Sequence, residues 1–241
     1  MIRKFILALI FTLPSLAIAI DLEGFYITPK GGVSKSMDTG TISFTNSADE
    51  LIVMQDEDLG TGTVFGLSVG KYVNDNFRLE LEALLRTDYE YDAFGAEPIP
   101  ARSVSQKADI DSRSIFINGF YDFQLFTLGN TSITPYLGGG IGVSKNKMGN
   151  IVQFQGAPDG FVAVGNTINQ FAYKLAAGIF FGLTDKLSLD INYQYVDLGA
   201  FKNSTEAFVD GARRIRSDNR TPNTGGEIKT HELMIGLQYK F

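Results

Sequence analysis

Proton-transfer chemistry needs a positioned base, and 241 residues supply one histidine, His231, followed by Glu232. An acyl hydrolase would set a serine nucleophile beside such a base. No local serine motif accompanies His231, so no catalytic residue is expected. The chain has no cysteine, which excludes disulfide scaffolds, thiolate zinc sites, thiol catalysis and lipid attachment at an N-terminal cysteine. The run Gly138-Gly139-Gly140-Ile141-Gly142 lacks phosphate-loop spacing and lies in a strand-like pattern rather than at a strand-to-helix turn. Asp38, Asp49, Glu50, Asp56, Glu57 and Asp58 give the stretch from Ser36 to Gly60 a charge of −6. Their spacing departs from the calcium-binding loop and reads as a solvated acidic segment. No cofactor and no metal are expected.

A second set of charges is more ordered. Lys30, Arg78, Glu80, Glu82, Arg86, Lys174, Asp190, Glu232 and Lys240 fall on the polar face of segments whose other face is apolar. Such charges either line a narrow ion pathway or pair with one another and close the interior, because buried charges need partners. The paired core is favoured if few strands enclose them, since a small barrel leaves room only for side chains. Arg213, Arg214, Arg216 and Arg220 form a third group, in a stretch from Ala200 to Gly226 of net charge +2. Guanidinium groups bind sulfate and phosphate oxygens bidentately, so the cluster is a candidate anion contact, set against a merely solvated loop.

The elements that must position these residues alternate with period two, the mark of strands. Phe77, Leu79, Leu81, Ala83 and Leu85 face one way, and Arg78, Glu80, Glu82 and Arg86 the other. Leu187 to Tyr195 and Leu233 to Phe241 repeat the pattern. Eight segments are expected: Gly24 to Ser34, Thr61 to Val73, Phe77 to Tyr89, Ala108 to Phe123, Ser132 to Ser144, Ile168 to Leu183, Leu187 to Gly199 and Glu227 to Phe241. Short links at Asn74-Asp75-Asn76, around Phe126 to Asn130, and at Thr184-Asp185-Lys186 alternate with long ones of 25, 18, 23 and 27 residues. An even strand number with loops alternating in length describes an all-β, antiparallel up-and-down closed barrel whose long loops share one end.

Arg3 and Lys4, an apolar stretch from Phe5, and Ala17-Ile18-Ala19 read as an export signal cleaved after Ala19, leaving residues 20–241 as the barrel domain. Removing it takes two cations and leaves a net charge of −8, which argues against nucleic acid as a partner. A soluble barrel would hide the apolar face. Export, loop asymmetry and Gly138, Gly140 and Gly142 on the polar face beside Tyr136 favour apolar-outward, glycines making room for large inward side chains. Phe25, Tyr121, Phe123, Phe171, Tyr173 and Phe241 suit aromatic girdles at the membrane interfaces.

The stretches Asn118-Gly119-Phe120-Tyr121-Asp122-Phe123, Thr134-Pro135-Tyr136-Leu137-Gly138-Gly139-Gly140-Ile141-Gly142 and His231 to Phe241 resemble the opacity-type and OmpA-like eight-stranded outer-membrane β-barrels of Gram-negative bacteria. The resemblance covers nearly the whole chain after the export signal. It implies an outer-membrane location, termini in the periplasm and four loops outside. It also implies that Leu237, Tyr239 and Phe241 form the terminal signal read by the barrel assembly machinery, and no peptidoglycan-binding domain is expected after Phe241. The partners implied are outer-membrane lipids and lipopolysaccharide, with host or environmental surface ligands at the loops. The function expected is a non-enzymatic surface antigen or adhesin acting through its loops. A narrow porin-like channel is the alternative, and a lipid hydrolase using His231 a third.

Overall fold

The computed structural model describes residues 22–40, 42–45, 51–55, 58–96, 103–124, 126–129, 131–154, 161–204, 206–209, 212–215 and 225–241. The expected cleavage site after Ala19 lies outside them. Eight long strands carry the architecture: β1 (Phe25–Ser36), β2 (Thr61–Tyr72), β3 (Phe77–Ala96), β4 (Ser103–Asp122), β5 (Thr131–Met148), β6 (Asn166–Gly182), β7 (Leu187–Lys202) and β8 (Gly225–Lys240). Each pairs antiparallel with its chain neighbours. β8 returns to β1 through register pairs such as Val33 with Leu233, and the Phe241 amide donates to the Phe25 carbonyl at 3.0 Å. The long strands therefore form a closed all-β barrel, which removes the sheet edge that a membrane could not hydrogen-bond.

The alternation sorts the side chains as expected, apolar outward. Leu79, Leu81, Ile115, Ile117, Leu137, Ile141, Leu175, Leu233 and Ile235 all face out, half or more exposed. Arg78, Glu80, Glu82 and Arg86 are buried between them in the chain. The inward glycines make the room expected of them. A Cβ at Gly140 would run into the Asn118 carboxamide, and one at Gly138 into the Phe120 ring.

The long links differ from expectation. β3 runs on to Ala96 and β4 begins at Ser103, so most of the 18 residues expected as a loop form a hairpin that rises beyond the apolar band. A bulge makes this possible. Thr87 and Asp88 oppose the single residue Asp111, and Asp88 adopts φ 69°. Aspartate tolerates that left-handed conformation, here with its carboxylate accepting from the Thr63 and Thr87 hydroxyls at 2.6 and 2.8 Å. The extra residue shifts the inward phase from Arg86 to Tyr89 and Tyr91. A second bulge at Leu198 and Gly199, where glycine holds φ 71°, opposes Ile228 on β8. The link around Phe126 to Asn130 also contains a short strand, Phe126–Leu128, folded back on the start of β5.

Gly140→Val should lower stability by about 1–3 kcal/mol through overpacking. Gly119→Val, at an outward position where a Cβ meets nothing closer than 3.9 Å, should stay within about 0.5 kcal/mol of the parent. Urea midpoints of the protein refolded into vesicles measure both.

Candidate functional site

Inward side chains line the interior at every level. Near the short-turn end, Arg78 lies buried with its guanidinium carbon 4.1, 4.5 and 5.0 Å from the ring centres of Phe120, Tyr136 and Phe180. Its Nε donates to Asp122 at 3.0 Å, and its Nη1 to the Tyr26 hydroxyl at 3.0 Å. Below this end a polar vestibule of about 550 Å³ opens between Asp122, Lys240 and Ser188.

At mid-height, Lys30 Nζ bridges Glu80 at 3.3 Å and Glu82 at 2.8 Å, while Lys174 pairs with the other oxygen of Glu82. Asn118 donates to both glutamates, at 3.3 and 3.2 Å. Lys174 also donates to Gln194 at 3.2 Å, and Gln194 donates to Glu232. There the Arg86 fork closes on Glu232 with bonds of 2.5 and 3.1 Å, joined by Ser34 and Thr230 at 2.8 and 3.0 Å. One connected network thus spans six strands. Its four cations face four carboxylates if Asp122 is included, which leaves the ion-paired network itself neutral. Toward the long-loop end the filling becomes apolar, with Leu59, Tyr89, Ile110, Met148 and Ile228 buried and Tyr91 edge-on to Phe201 at 6.1 Å.

Most of the charges expected to share the interior do so. Lys30, Arg78, Glu80, Glu82, Arg86, Lys174 and Glu232 are joined by ion pairs. Asp190 instead accepts from Tyr136 at 2.8 Å and Asn192 at 3.1 Å. Lys240 stands at the vestibule, 4.7 Å over the Tyr72 ring. Sequence reasoning missed Asp122, Asn118, Gln194, Ser34 and Tyr26. Asp122 was legible, since it sits on the inward phase between the outward aromatics Tyr121 and Phe123.

Leu237, Tyr239 and Phe241 face outward at the closing seam, 41, 40 and 46% exposed. His231 also faces outward, stacked on Tyr193 at 5.8 Å and hydrogen-bonded to that residue's phenol. Of the girdle residues, Tyr121, Phe123, Phe171, Tyr173 and Phe241 are exposed, whereas Phe25 is half-buried with Lys71 at 4.6 Å over its ring.

Beyond the band the loop segments pair with one another. Ile42–Thr45 pairs with Leu51–Gln55, which pairs with the tip of β3. Ile151–Phe154 pairs with the tip of β4, then Phe161–Ala163, Glu206–Val209 and Ala212–Ile215 follow in order. Described segments of all four loops are thereby joined in one sheet continuous with the barrel. Arg213 and Arg214 stand in its end strand, while Arg216 and Arg220 lie outside the described residues. Of the acidic first loop, Asp49, Glu50, Asp56 and Glu57 also lie outside them. Asp58 ties that loop down, its carboxylate accepting from Lys35 and from the Gly60 amide, each at 2.6 Å. The Lys35 hydrogen bond, helped by the Gly60 amide, holds the Asp58 carboxyl below its ordinary value of 3.8 against the opposing effect of partial burial.

Comparison with known proteins agrees with this geometry. The family model of the outer membrane protein beta-barrel domain matches residues 5–241. Outer membrane protein PagN of Salmonella typhimurium is 29% identical over 241 residues, covering 93% of this chain and 93% of that protein. RC1281 of Rickettsia conorii, provisionally named an adhesin, is 24% identical over 181 residues, covering 74% of this chain and 68% of that one. Among solved structures, Neisserial surface protein A superposes with a TM-score of 0.53 at 18% identity, covering 91% of this chain and 98% of that one.

Glu82→Gln leaves Lys174 without its carboxylate in a closed interior, and should cost about 3–5 kcal/mol by urea unfolding in vesicles. The double variant Glu82→Gln, Lys174→Gln should recover part of that loss. Because the Asp58 pKa is depressed, its anchoring contribution is present above pH 3.8 and lost as pH falls below it. Exposure limits the effect to at most about 1 kcal/mol. The protection factor of the Gly60 amide, its exchange measured against the unstructured rate at the same pH, should therefore fall in acid, and Asp58→Asn should remove that pH dependence.

Proposed function

The chain belongs to the outer membrane protein β-barrel domain family, and from that premise we propose that it is a surface-exposed interaction protein, an adhesin or surface antigen, working through its loops. One observation carries the reading: the described segments of the four loops form one sheet standing clear of the membrane band, above an interior that holds an ion-paired network and an apolar layer. The placement fits a barrel that acts as an anchor and presents a built surface outside. The name of RC1281 supports an adhesive role, and PagN supports the location.

Several finer assignments belong to the same proposal. Arg213, Arg214, Arg216 and Arg220 offer the loop contact for sulfated glycans or lipopolysaccharide phosphates. Leu237, Tyr239 and Phe241 serve as the signal for the barrel assembly machinery, and export ends with cleavage after Ala19. The protein is non-enzymatic. His231, with a phenol as its hydrogen-bond partner, takes an interfacial role, so His231→Ala should leave lipid A and phospholipid composition unchanged.

Display on a non-adherent Gram-negative host tests the reading. Cells carrying the parent should attach to epithelial monolayers and heparin-coated beads. Replacing the four loop arginines by glutamine should cut bead attachment several-fold, with the heat-dependent gel shift of the folded barrel unchanged. The folded parent should be silent in a planar bilayer. Reproducible conductance steps with no attachment would overturn the adhesive reading in favour of a narrow channel.

A further inference from the structure

The outer wall of the barrel carries a feature that neither the interior nor the loops explain. Register partners across five strands, Phe65, Leu85, Arg113, Lys145 and Asn169, form one row that runs from the apolar band to its outer edge. The row beneath it is Leu67, Ala83, Ile115, Val143 and Phe171. Ala83 is the one small side chain in that lower row. Its neighbours stand proud of it, and a groove of about 840 Å³ lies over the notch with almost entirely apolar walls.

The groove ends at two cations. Arg113 and Lys145 are direct cross-strand partners and both are exposed. Like charges placed opposite each other weaken a sheet pair, and acidic partners normally relieve the conflict. Other lysines along this rim have them: Lys35 with Asp58 at 2.6 Å, Lys107 with Asp92 at 2.7 Å, Lys147 with Asp111 at 3.9 Å, and Lys229 with Glu227. Arg113 and Lys145 have no carboxylate partner among the described residues. The carboxylate two residues outward on the same strand, Asp111, is directed at Lys147.

We propose that this groove and its cation pair bind one lipid phosphomonoester of the outer leaflet, the class to which the lipid A part of lipopolysaccharide belongs. The phosphate sits across Arg113 and Lys145, and an acyl chain lies over Ala83. Charge selects this occupant. A phosphomonoester carries between one and two negative charges at neutral pH and matches two adjacent cations, whereas a zwitterionic phospholipid brings a single negative charge with its own ammonium. The fork of Arg113 takes two phosphate oxygens at once, and Lys145 adds a point charge. The site's position in the outer leaflet rests on the loop end being external. Its occupancy is independent of adhesion, because no loop arginine takes part.

Native mass spectrometry of the folded protein released from phosphatidylethanolamine nanodiscs doped with lipid A tests the proposal. The parent should retain one lipid A per barrel. Arg113→Gln with Lys145→Gln should lower retention at least tenfold. Ala83→Phe, which fills the notch and leaves both charges, should lower it several-fold. Lys35→Gln, at a cation already paired with Asp58, should change nothing. Every variant is first confirmed as folded by its gel shift. Equal retention by the parent and the double variant would overturn the proposal, as would equal retention of phosphatidylglycerol. A groove filled by a second copy of the chain, seen as a dimer mass without lipid, would overturn it too.

Discussion

Eight strands enclose an interior just wide enough for side chains to fill, and that constraint governs the rest of this molecule. Any charged side chain that the alternation turns inward needs a partner, because an unpaired buried charge is costly. Lys30, Glu80, Glu82 and Lys174 solve this at mid-height, and Arg86 with Glu232 solves it one level further out. Gln194 joins the two solutions into one network. Within that network every charge is paired, which leaves it no charge surplus to select ions. The interior is a polar core in the sense that a soluble protein has an apolar one, and whatever the protein recognises it must recognise from outside.

The outward face obeys the opposite rule. There the surroundings accept hydrocarbon, so Leu, Ile, Val and Phe stand exposed on every strand without needing partners. This inversion made the fold legible. The odd positions from Phe77 to Leu85 and the even ones from Arg78 to Arg86 already separate the two environments, and glycines at 138, 140 and 142 already point to large inward neighbours. Membership of the interior set could be read from phase alone. Pairing could not, because Lys30 and Glu82 meet across β1, β2 and β3 only through the stagger of the closed sheet, which no local spacing records.

Legibility fails at Asp88. A single extra residue in the left-handed conformation exchanges the inward and outward phases of β3, so Tyr89 and Tyr91 enter the interior although the preceding alternation directs them to the lipid. Past this point, and past Gly199 on β7, no apolar band constrains the pattern, and strand-forming segments lose the period-two contrast that identifies them. Segments such as Ile42–Thr45 and Phe161–Ala163 are too short to declare themselves, and they are strands because neighbouring loops lie within pairing distance. The external sheet is a tertiary product. The bulges free the hairpin tips from the barrel's inward-outward register, which lets loop residues vary without disturbing the ion network below.

The same residue types therefore carry different meanings according to the face they occupy. An inward Arg86 held by two hydrogen bonds to Glu232 and one to the Ser114 hydroxyl is a structural element, and removing its partner damages the fold. An outward Arg113 beside Lys145, with neither bound by a carboxylate among the described residues, contributes nothing to the fold that an uncharged polar residue would not. Two like charges kept adjacent at the edge of the apolar band cost the sheet a little and gain nothing within the chain. The physical reason to place them there must lie in what surrounds the barrel, and next to an apolar groove at the leaflet surface that surrounding is an acylated anion.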